Sequence, residues 1–320
     1  MKPTVSVQIV TYNSESDIEA CLCAVIKQTY PIYEIIVIDN NSQDETALKV
    51  QAFSNVQLVL NPKNTGFAPA HNQAMHMTDT DYVLVLNPDV QLYDTYIEEI
   101  IEIIESDSRI GMATGKLYRD INKKLLDSTG IHMKKNRRAI DRGANEIDVG
   151  QYDSLIHIFG VSGAAAIYKR AMIRDISYEN EFFDESFFAY KEDVDVSWRA
   201  QLLGWQAVFV PNALASHGRG WKEEKKRSEI PVYIRQKSYI NRYFYILKND
   251  TVLNFIIHLP YILFFEIASF IYTLLKEREL LKAWKFFKQH FVKMKLKRDF
   301  IRQKQKVSNK FIRSFFKGIW

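Results

Sequence analysis

Short apolar runs alternate with amphipathic segments through the first hundred residues, and this alternation limits the folds that the chain can adopt. The apolar runs predict strands at Val5–Val10, Glu34–Ile38, Val56–Leu60 and Tyr82–Leu86, because short apolar runs bounded by polar residues are typical of buried parallel strands. The segments between them carry apolar residues at helical spacing, which predicts helical crossovers. The sequence therefore predicts an α/β fold with a doubly wound, mostly parallel sheet.

Polar clusters follow the predicted strands. They consist of Thr11, Tyr12 and Asn13 after the first strand, Asp39 after the second, Asn64 and Gly66 after the third, and Asn87, Pro88 and Asp89 after the fourth. Because the carboxyl ends of parallel strands meet at one edge of a sheet, these loops predict a shared polar crevice. Asp89 is then a candidate metal or substrate contact, with a turn-forming Asn-Pro-Asp as the alternative. The glycine patterns of dinucleotide dehydrogenases and P-loop proteins are absent from the sequence, which argues against those two functions.

Three acidic residues crowd the start of a predicted helix: Glu192, Asp193 and Asp195. Acids at this position suit the positive end of the helix dipole, and Asp195 has ion-pair spacing to Arg199, so a structural role is one interpretation. Clustered carboxylates beside aromatic residues can also include one of raised pKa that serves as a general base. The residues alone leave all three acids as candidates.

Three further segments have two interpretations each. Small residues at 162–164 allow either close approach of a ligand to the backbone or tight strand packing. His217 follows a predicted strand at Ala207–Val210 and precedes a Gly-rich loop, so it is either a metal ligand or a structural histidine. The polar and basic segment Lys123–Ser154 predicts a flexible hairpin or loop over the crevice, or a solvated insertion.

The C-terminal part of the chain is apolar first and then basic. The longest uncharged run of Val252–Leu275 has 14 residues, fewer than the roughly 18–20 that cross a bilayer. Residues 276–320 hold fifteen Lys or Arg against three acids, a balance of +12, so the other residues of this +5 chain carry −7. Basic residues interleaved with aromatic ones suit an anionic membrane surface; nucleic acid would explain the charge equally well but not the preceding apolar run. The alternatives are helices that pack on the preceding domain and a solvated basic tail.

The predicted location is the cytoplasm. The first residues show no pattern of a secretory signal. Cys21 and Cys23 are two positions apart on a predicted helix and cannot pair with each other, which is typical of a reducing compartment. Together with the basic tail, these features predict a cytoplasmic protein bound peripherally to the inner face of the cell membrane.

The order and spacing of these clusters resemble those of the family 2 glycosyltransferases, inverting enzymes with the A-type fold. The resemblance covers about residues 4–250, and its motifs are Val10–Asn13, Val37–Asp44, Asn64–Asn72, Leu86–Asp89, Ser162–Ala164, Glu192–Asp195 and His217. The segments 148–153 and 183–193 look most like the rhamnosyltransferase branch, which builds bacterial surface polysaccharides. The resemblance implies a catalytic domain at 1–250 and a helical basic extension at 251–320.

The resemblance also implies roles for individual residues. The nucleotide sugar would contact Thr11, Tyr12, Asn13, Asp39, Asn64, Gly66 and Asn87, with Asp39 accepting hydrogen bonds from the pyrimidine base. Ser162, Gly163, Ala164 and Arg219 would line the donor and acceptor pocket. Asp193 would deprotonate the acceptor hydroxyl, with Glu192 and Asp195 as competitors for that role.

A divalent cation is implied as well, either Mg²⁺ or Mn²⁺. The metal motif of the family is often Asp-x-Asp, and here Asn87 replaces the first acid. Asp89 would therefore hold the cation with His217 as its second ligand.

The implied reaction is transfer of a sugar, L-rhamnose from dTDP-rhamnose as the best match, to a saccharide or lipid-linked saccharide. Two alternatives remain open. One is a transferase that uses a UDP- or GDP-sugar, and the other is a membrane-bound scaffold that binds a nucleotide sugar without turnover.

Overall fold

The computed structural model describes residues 2–120, 122–154, 156–218 and 229–319. The strands of this part of the chain are β1 Val5–Thr11, β2 Glu34–Asp39, β3 Val56–Leu60, β4 Tyr82–Leu86, β5 Val90–Leu92, β6 Ile110–Asp120, β7 Leu125–Ser128, β8 Ile131–Met133, β9 Ala139–Asp141, β10 His157–Ile158, β11 Ala165–Lys169 and β12 Gln206–His217. Ten of them form one sheet with the order β10-β12-β6-β11-β4-β1-β2-β3, in which β5 also pairs with β12 and β7 with β6. Strands β8 and β9 form a separate ribbon.

Helices cover the sheet and extend beyond it. They are α1 Ile18–Ile26, α2 Thr46–Gln51, α3 Phe67–His76, α4 Tyr96–Ser106, α5 Arg170–Ile176, α6 Glu192–Leu202, α7 Val232–Asn249, α8 Val252–Ile257, α9 Leu259–Lys276, α10 Ala283–Lys304 and α11 Asn309–Ser314. Short 3₁₀ helices lie at Glu185–Phe187 and Arg278–Lys282.

The first four strands form the parallel half of the sheet. Strand β1 pairs in parallel with both β2 and β4, and β2 pairs in parallel with β3. Strand β4 is buried along its whole length, as its uninterrupted apolar run predicted. The predicted α/β class with a doubly wound sheet is therefore confirmed, and the strand ends that carry the polar clusters lie at one edge.

The other half of the sheet is mixed. Strand β11 runs antiparallel between β4 and β6, and β12 runs parallel to β6. The sequence predicted that β12 would end before Pro211, but the strand continues to His217. Its register with β6 shifts between Val210 and Leu214, so Pro211 lies in an irregular stretch where its missing N–H breaks no regular ladder.

The polar segment 123–154 is built into the fold, which corrects the prediction of a flexible loop. Strand β7 pairs with β6, and β8 and β9 form their ribbon within this segment. Arg137 is fully buried, and its guanidinium donates to Asp250 at 2.7 Å and to the backbone oxygen of Asn254 at 3.0 Å. A charged side chain that the sequence predicted to be in solvent thus has hydrogen-bond partners inside the protein.

The C-terminal helices share the main hydrophobic core. Met294 and Ile301 of α10 and Phe316 beyond α11 belong to the same buried cluster as Met112 and Phe183. The ring of Phe244 in α7 stacks on Phe287 in α10 with centroids 5.5 Å apart. Residues on both sides of position 250 therefore stabilise one core.

Helix α9 is the exception among these helices, because only 11 % of it lies inside the protein. It is the one described helix that is long and apolar enough to cross a membrane by length and composition. The longest uncharged run in the sequence ends at Phe265. The helix continues through Glu266 to Lys276 and therefore has 18 residues.

Buried ion pairs join α6, α7 and α10. Lys248 of α7 contacts Asp184 at 2.5 Å and Asp195 at 2.9 Å. Lys297 of α10 contacts Asp184 at 2.7 Å, and Arg199 contacts Asp195 at 2.9 Å. Burial acts to raise the pKa of Asp184, but the two lysines outweigh it and lower that pKa below its usual value.

We expect Lys248→Met to lower the free energy of unfolding by about 3–5 kcal/mol, because it removes the shared partner of two buried carboxylates. Urea denaturation monitored by circular dichroism measures the change. Arg174→Met is the matched control, since Arg174 pairs with Asp79 at the exposed surface and should contribute no more than about 1 kcal/mol. Equal losses in the two variants would contradict the importance of the buried lysine.

Candidate active site

A polar crevice of about 400 Å³ opens where β1 and β4 end. Six of the seven residues predicted to contact the nucleotide sugar line it, together with the predicted metal ligand Asp89: Thr11, Tyr12, Asn13, Asn64, Gly66 and Asn87. The opposite lining comes from Phe188, Ala189 and Tyr190 before α6 and from Tyr233 of α7. The structure thus brings the predicted loops together and adds an aromatic lining that the sequence reasoning missed.

Asp39, the seventh residue, lies behind this lining and is 2 % exposed. Its carboxylate accepts hydrogen bonds from the Thr11 hydroxyl at 2.8 Å and from the hydroxyl and backbone N–H of Ser42 at 2.5 and 2.9 Å. The Ser42 hydroxyl oxygen also accepts from the backbone N–H of Asn13 at 2.9 Å. Asp39 therefore fixes the loops after β1 and β2, and its contact with a pyrimidine base stays a prediction.

Gly66 has a conformation that a side chain would not tolerate. Its φ is +96°, and a Cβ atom there would lie 2.5 Å from the carbonyl oxygen of Phe188. Asn64 accepts from the Gly66 N–H at 2.9 Å, and Asn40 donates to the Gly66 carbonyl at 3.1 Å. Asn40 is a buried residue of the crevice that was not among the predicted contacts, although it lies in one of the recognised motifs.

Asp89 and His217 come together through strand pairing. Strand β5 pairs antiparallel with β12, which sets His217 opposite Val90. The Asp89 Oδ1 atom then lies 3.4 Å from His217 Nε2. The other ring nitrogen, Nδ1, lies 2.7 Å from Oδ2 of the buried Asp127 in β7. A carboxylate on Nδ1 orients the ring so that Nε2 faces Asp89.

Asp127 is a site residue that the sequence reasoning missed. It is a single acid on a short strand in the segment that was predicted to be flexible, and no motif identifies it. Burial lowers the pKa of His217, but hydrogen bonds and charges from Asp127 and Asp89 outweigh it and raise that pKa to about 9. The imidazole thus lies between two carboxylates.

The donor set of this pair suits a transition-metal cation. In the described ranges, no group of three or more His, Cys, Asp or Glu side chains forms a candidate metal cage. Asp89 and His217 offer one carboxylate oxygen and one imidazole nitrogen, which fit Mn²⁺ better than Mg²⁺, an ion that prefers oxygen ligands.

Asp193 is the partly exposed member of the three clustered acids. Its Oδ2 accepts from the backbone N–H of Gly163 at 3.1 Å, and its Oδ1 accepts from the N–H of Val194 at 2.7 Å. Burial is the main cause of its raised pKa. A Cβ atom at Gly163 would lie 3.4 Å from Asp193 Cβ and 3.8 Å from the ring of Phe67, which lines the crevice. Asp193 thus lies beside the crevice.

The two other acids have different surroundings. Glu192 is buried, and its Oε2 atom has no hydrogen-bond partner within the described part of the chain. Burial, and then the neighbouring charge of Asp193, raise the pKa of Glu192 to about 8. Asp195 is fully buried and bonded to Lys248, Arg199 and Asn249. Its contacts are those of a structural residue and give no support to its prediction as a base.

The remaining predicted pocket residues lie between β4 and α6. The Ala164 carbonyl accepts from the backbone N–H of Asn87 at 2.8 Å, which joins this segment to the crevice. Ser162 is buried, and Gly163 contacts Asp193 as described. Arg219, predicted for the same pocket, lies outside the described residues.

Comparison with known proteins identifies the class and then the family. Its similarity to solved transferases shows that the chain has the A-type transferase fold, and its match to a family model shows that it is a glycosyltransferase. Residues 6–177, more than half of the chain, match the family model described as Glycosyl transferase family 2, so the chain belongs to that family. The resemblance predicted from the sequence motifs is confirmed.

One curated relative and two solved structures illustrate the similarity. The N-acetylglucosaminyl-diphospho-decaprenol L-rhamnosyltransferase of Mycobacterium tuberculosis is 26% identical over 245 residues, which cover 68% of this chain and 76% of the relative. GalNAc-T7 with UDP, GalNAc and Mn²⁺ has a TM-score of 0.58 at 15% identity and covers 77% of this chain and 48% of its own. The Pyrobaculum calidifontis mannosyltransferase PcManGT with GDP-Man and Mn²⁺ has a TM-score of 0.55 at 15% identity, covering 91% and 76%.

We expect Glu192→Gln to remove a pH-dependent loss of stability. The pKa of Glu192 rises from 4.5 to about 8 on folding, so folding takes up a proton in that interval and stability falls as the pH rises through it. Glutamine has no proton to lose, and the stability difference between variant and wild type should therefore grow from about pH 5 to pH 8. Urea denaturation at several pH values measures it, with Glu102→Gln on the exposed face of α4 as control. A difference that does not change with pH would contradict the prediction.

We expect Asp127→Asn to weaken Mn²⁺ binding in the presence of a nucleoside diphosphate by about 10- to 100-fold, because the orienting charge on His217 is lost. Electron paramagnetic resonance of free Mn²⁺ measures the affinity without turnover. Glu146→Gln, an exposed substitution in the same segment, is the control and should bind as the wild type does. Unchanged affinity in Asp127→Asn would show that Asp127 does not position a metal ligand.

Proposed function

We propose that this glycosyltransferase inverts the anomeric centre while moving a sugar, L-rhamnose from dTDP-rhamnose as the best match, to a saccharide or lipid-linked saccharide acceptor. The observation that carries the proposal is Asp193, a partly exposed carboxylate of raised pKa fixed beside the nucleotide crevice. The name of the mycobacterial relative supports the choice of sugar and acceptor. The product would belong to a bacterial surface polysaccharide.

The donor would bind in the crevice of about 400 Å³. Tyr12 is half exposed there and offers a ring to the base, while Asp39 fixes the loop that carries it. Asn64 and the side-chain-free Gly66 leave room for the ribose and diphosphate. The aromatic lining at Phe188 and Tyr190 would cover the donor from the other side.

Asp193 would act as the general base. The acceptor hydroxyl oxygen forms a bond to the anomeric carbon as the bond from that carbon to the diphosphate oxygen breaks on the opposite face. The hydroxyl proton passes to the Asp193 carboxylate, and the nucleoside diphosphate leaves with the electron pair. A raised pKa favours this role, because a carboxylate that holds a proton more tightly is a stronger base.

Asp89 and His217 would hold a divalent cation, Mn²⁺ or Mg²⁺, which when bound neutralises charge on the departing diphosphate. Asp127 would keep the imidazole in the orientation that presents Nε2 to the site. Both structural neighbours contain Mn²⁺ with a nucleotide or nucleotide sugar, which supports the choice of ion.

The enzyme would work in the cytoplasm, bound to the inner face of the cell membrane. Helices α8 and α9 expose large apolar side chains, among them Leu253, Ile256, Phe264 and Leu275. Lys276 and the basic residues that follow supply positive charge for anionic lipid. Apolar burial and electrostatic attraction together are what interfacial helices require.

We expect Asp193→Asn to lower kcat at least about 100-fold, since the amide cannot accept the acceptor proton. Donor affinity should change little, because Asp193 does not line the nucleotide crevice. Release of nucleoside diphosphate from dTDP-rhamnose, UDP-sugars and GDP-sugars measures the reaction, and NMR of the product gives its anomeric configuration. The control is Asp79→Asn at the exposed surface.

The outcomes separate the alternatives. A full rate in Asp193→Asn would refute the base assignment, and a retained anomeric configuration would refute inversion. Turnover with a UDP- or GDP-sugar alone would correct the donor. Absence of release with every donor would favour a binding scaffold without turnover.

A further inference from the structure

A second cavity, of about 440 Å³, lies between α7, α9 and α10 and shares no lining residue with the nucleotide crevice. We call it the C-terminal groove. Aromatic and aliphatic side chains form almost all of its lining, including Tyr239, Tyr243, Ile262, Phe270, Ile271 and Trp284. Such a lining suits an apolar ligand rather than a sugar or nucleotide.

The charged residue in the groove is neutralised within the protein. Glu266 forms an ion pair with Arg242 and accepts a hydrogen bond from the Tyr243 hydroxyl at 2.7 Å. Tyr243 also packs on Trp284, with ring centroids 4.7 Å apart. The carboxylate thus fixes the lining and does not require a polar ligand.

The groove opens along the exposed side of α9. Ile267, Phe270 and Ile271 line the groove, yet each remains just over 50 % exposed. They lie on the helix of which only 11 % is inside the protein. An apolar groove that continues into the exposed apolar surface of one helix is suited to a chain that enters from a bilayer.

Positive charge lies along the same helix. Lys135 lies over the ring of Tyr261 at 5.2 Å, and the exposed Arg138 over the ring of Phe265 at 5.7 Å. Both cations belong to the polar segment 123–154, which contacts α9 through them. An anionic headgroup attached to an apolar chain complements this pattern of charge, which a neutral lipid or an apolar protein surface does not.

Helix α7 connects the groove to the active site. Tyr239 and Tyr243 lie in the groove, and Asn241 donates to the backbone carbonyls of Phe187, Ala189 and Tyr190 at 2.8, 3.0 and 2.8 Å. That loop lines the nucleotide crevice and leads into α6 with Asp193. Helix α7 therefore fixes the position of a ligand in the groove relative to the acceptor side of the crevice.

We propose that the C-terminal groove binds the isoprenoid chain of a polyprenyl-phosphate-linked acceptor, so that the enzyme recognises the lipid as well as the saccharide. This inference rests on the proposed function, of which it specifies the acceptor. The chain lies against α7 and α9, and the phosphate faces the cations beside α9.

Binding of the lipid is tested without turnover. The probe is a dinitrophenyl-labelled polyprenyl phosphate in anionic vesicles, which quenches nearby tryptophan fluorescence, and the full chain is used. We expect saturable quenching in the wild type and at least a threefold smaller quench in Trp284→Phe, which loses the reporter in the groove. Equal quenching in the two proteins would overturn the site.

Kinetics then test its specificity. Acceptors that carry one saccharide on a long or a short isoprenoid chain should differ about tenfold or more in KM with the wild type, because the longer chain buries more apolar surface in the groove. Ile271→Trp fills the groove and should reduce this ratio below threefold. Leu263→Trp is the matched control, since Leu263 is an exposed residue of α9 that does not line the groove, and it should keep the wild-type ratio.

The remaining outcomes are decisive. An unchanged ratio in Ile271→Trp, or an equal loss in both variants, would overturn the proposal; if Ile271→Trp does not fold, the Trp284→Phe quench decides.

Turnover with equal KM for both chain lengths would refute the groove and leave the proposed function intact. Lipid quenching without turnover of any acceptor would refute the proposed function alone. A dimer in solution that Ile271→Trp dissociates would assign the groove to a second copy instead.

Discussion

Buried ion pairs hold α7 and α10 against α6 and the loop before it. Lys248 contacts both Asp184 and Asp195, and Lys297 contacts Asp184. Removing charges from water is costly, and such a cluster is stable only when every member has partners in good geometry. Here the lysines come from α7 and α10, while Asp195 comes from α6, the helix that begins with Glu192 and Asp193. Helix α7 therefore contacts the helix that carries the proposed base directly, and α10 contacts it through Asp184 and Lys248.

The three acids of α6 differ in the direction of their pKa shifts because their burial and their partners differ. Asp195 faces two cations, and its pKa is lowered despite burial. Glu192 is buried beside another carboxylate, so its pKa is raised. Asp193 lies between these environments, held by two backbone N–H groups and still partly exposed. One turn of helix thus holds a buried anion paired with two cations, a buried acid of raised pKa and a candidate base.

Two sets of contacts complete the candidate site and connect it to the C-terminal groove. Pairing of β5 with β12 brings His217 to Asp89, and β7 supplies Asp127 behind the ring. On the other side of the crevice, Asn241 of α7 holds the loop at Phe188 through backbone carbonyls. The same helix lines the C-terminal groove, so the polar crevice, the proposed base and the apolar groove share α7 as a common support.

The sequence by itself determined the parallel half of the sheet and most of the residues that line the polar crevice after β1 and β4. Those residues directly follow strands whose apolar runs are local signals, and parallel strands place their carboxyl ends at one edge whatever the rest of the chain does. Only the tertiary structure decided the contact of Asp127 with His217, the burial of Asp195 between two cations and the packing of residues 123–154 and of the C-terminal helices. Each of these depends on partners far along the chain, such as Lys248 for Asp195 and His217 for Asp127. No local pattern reports such pairs, because they form only when distant segments are packed together and water is excluded from their charges.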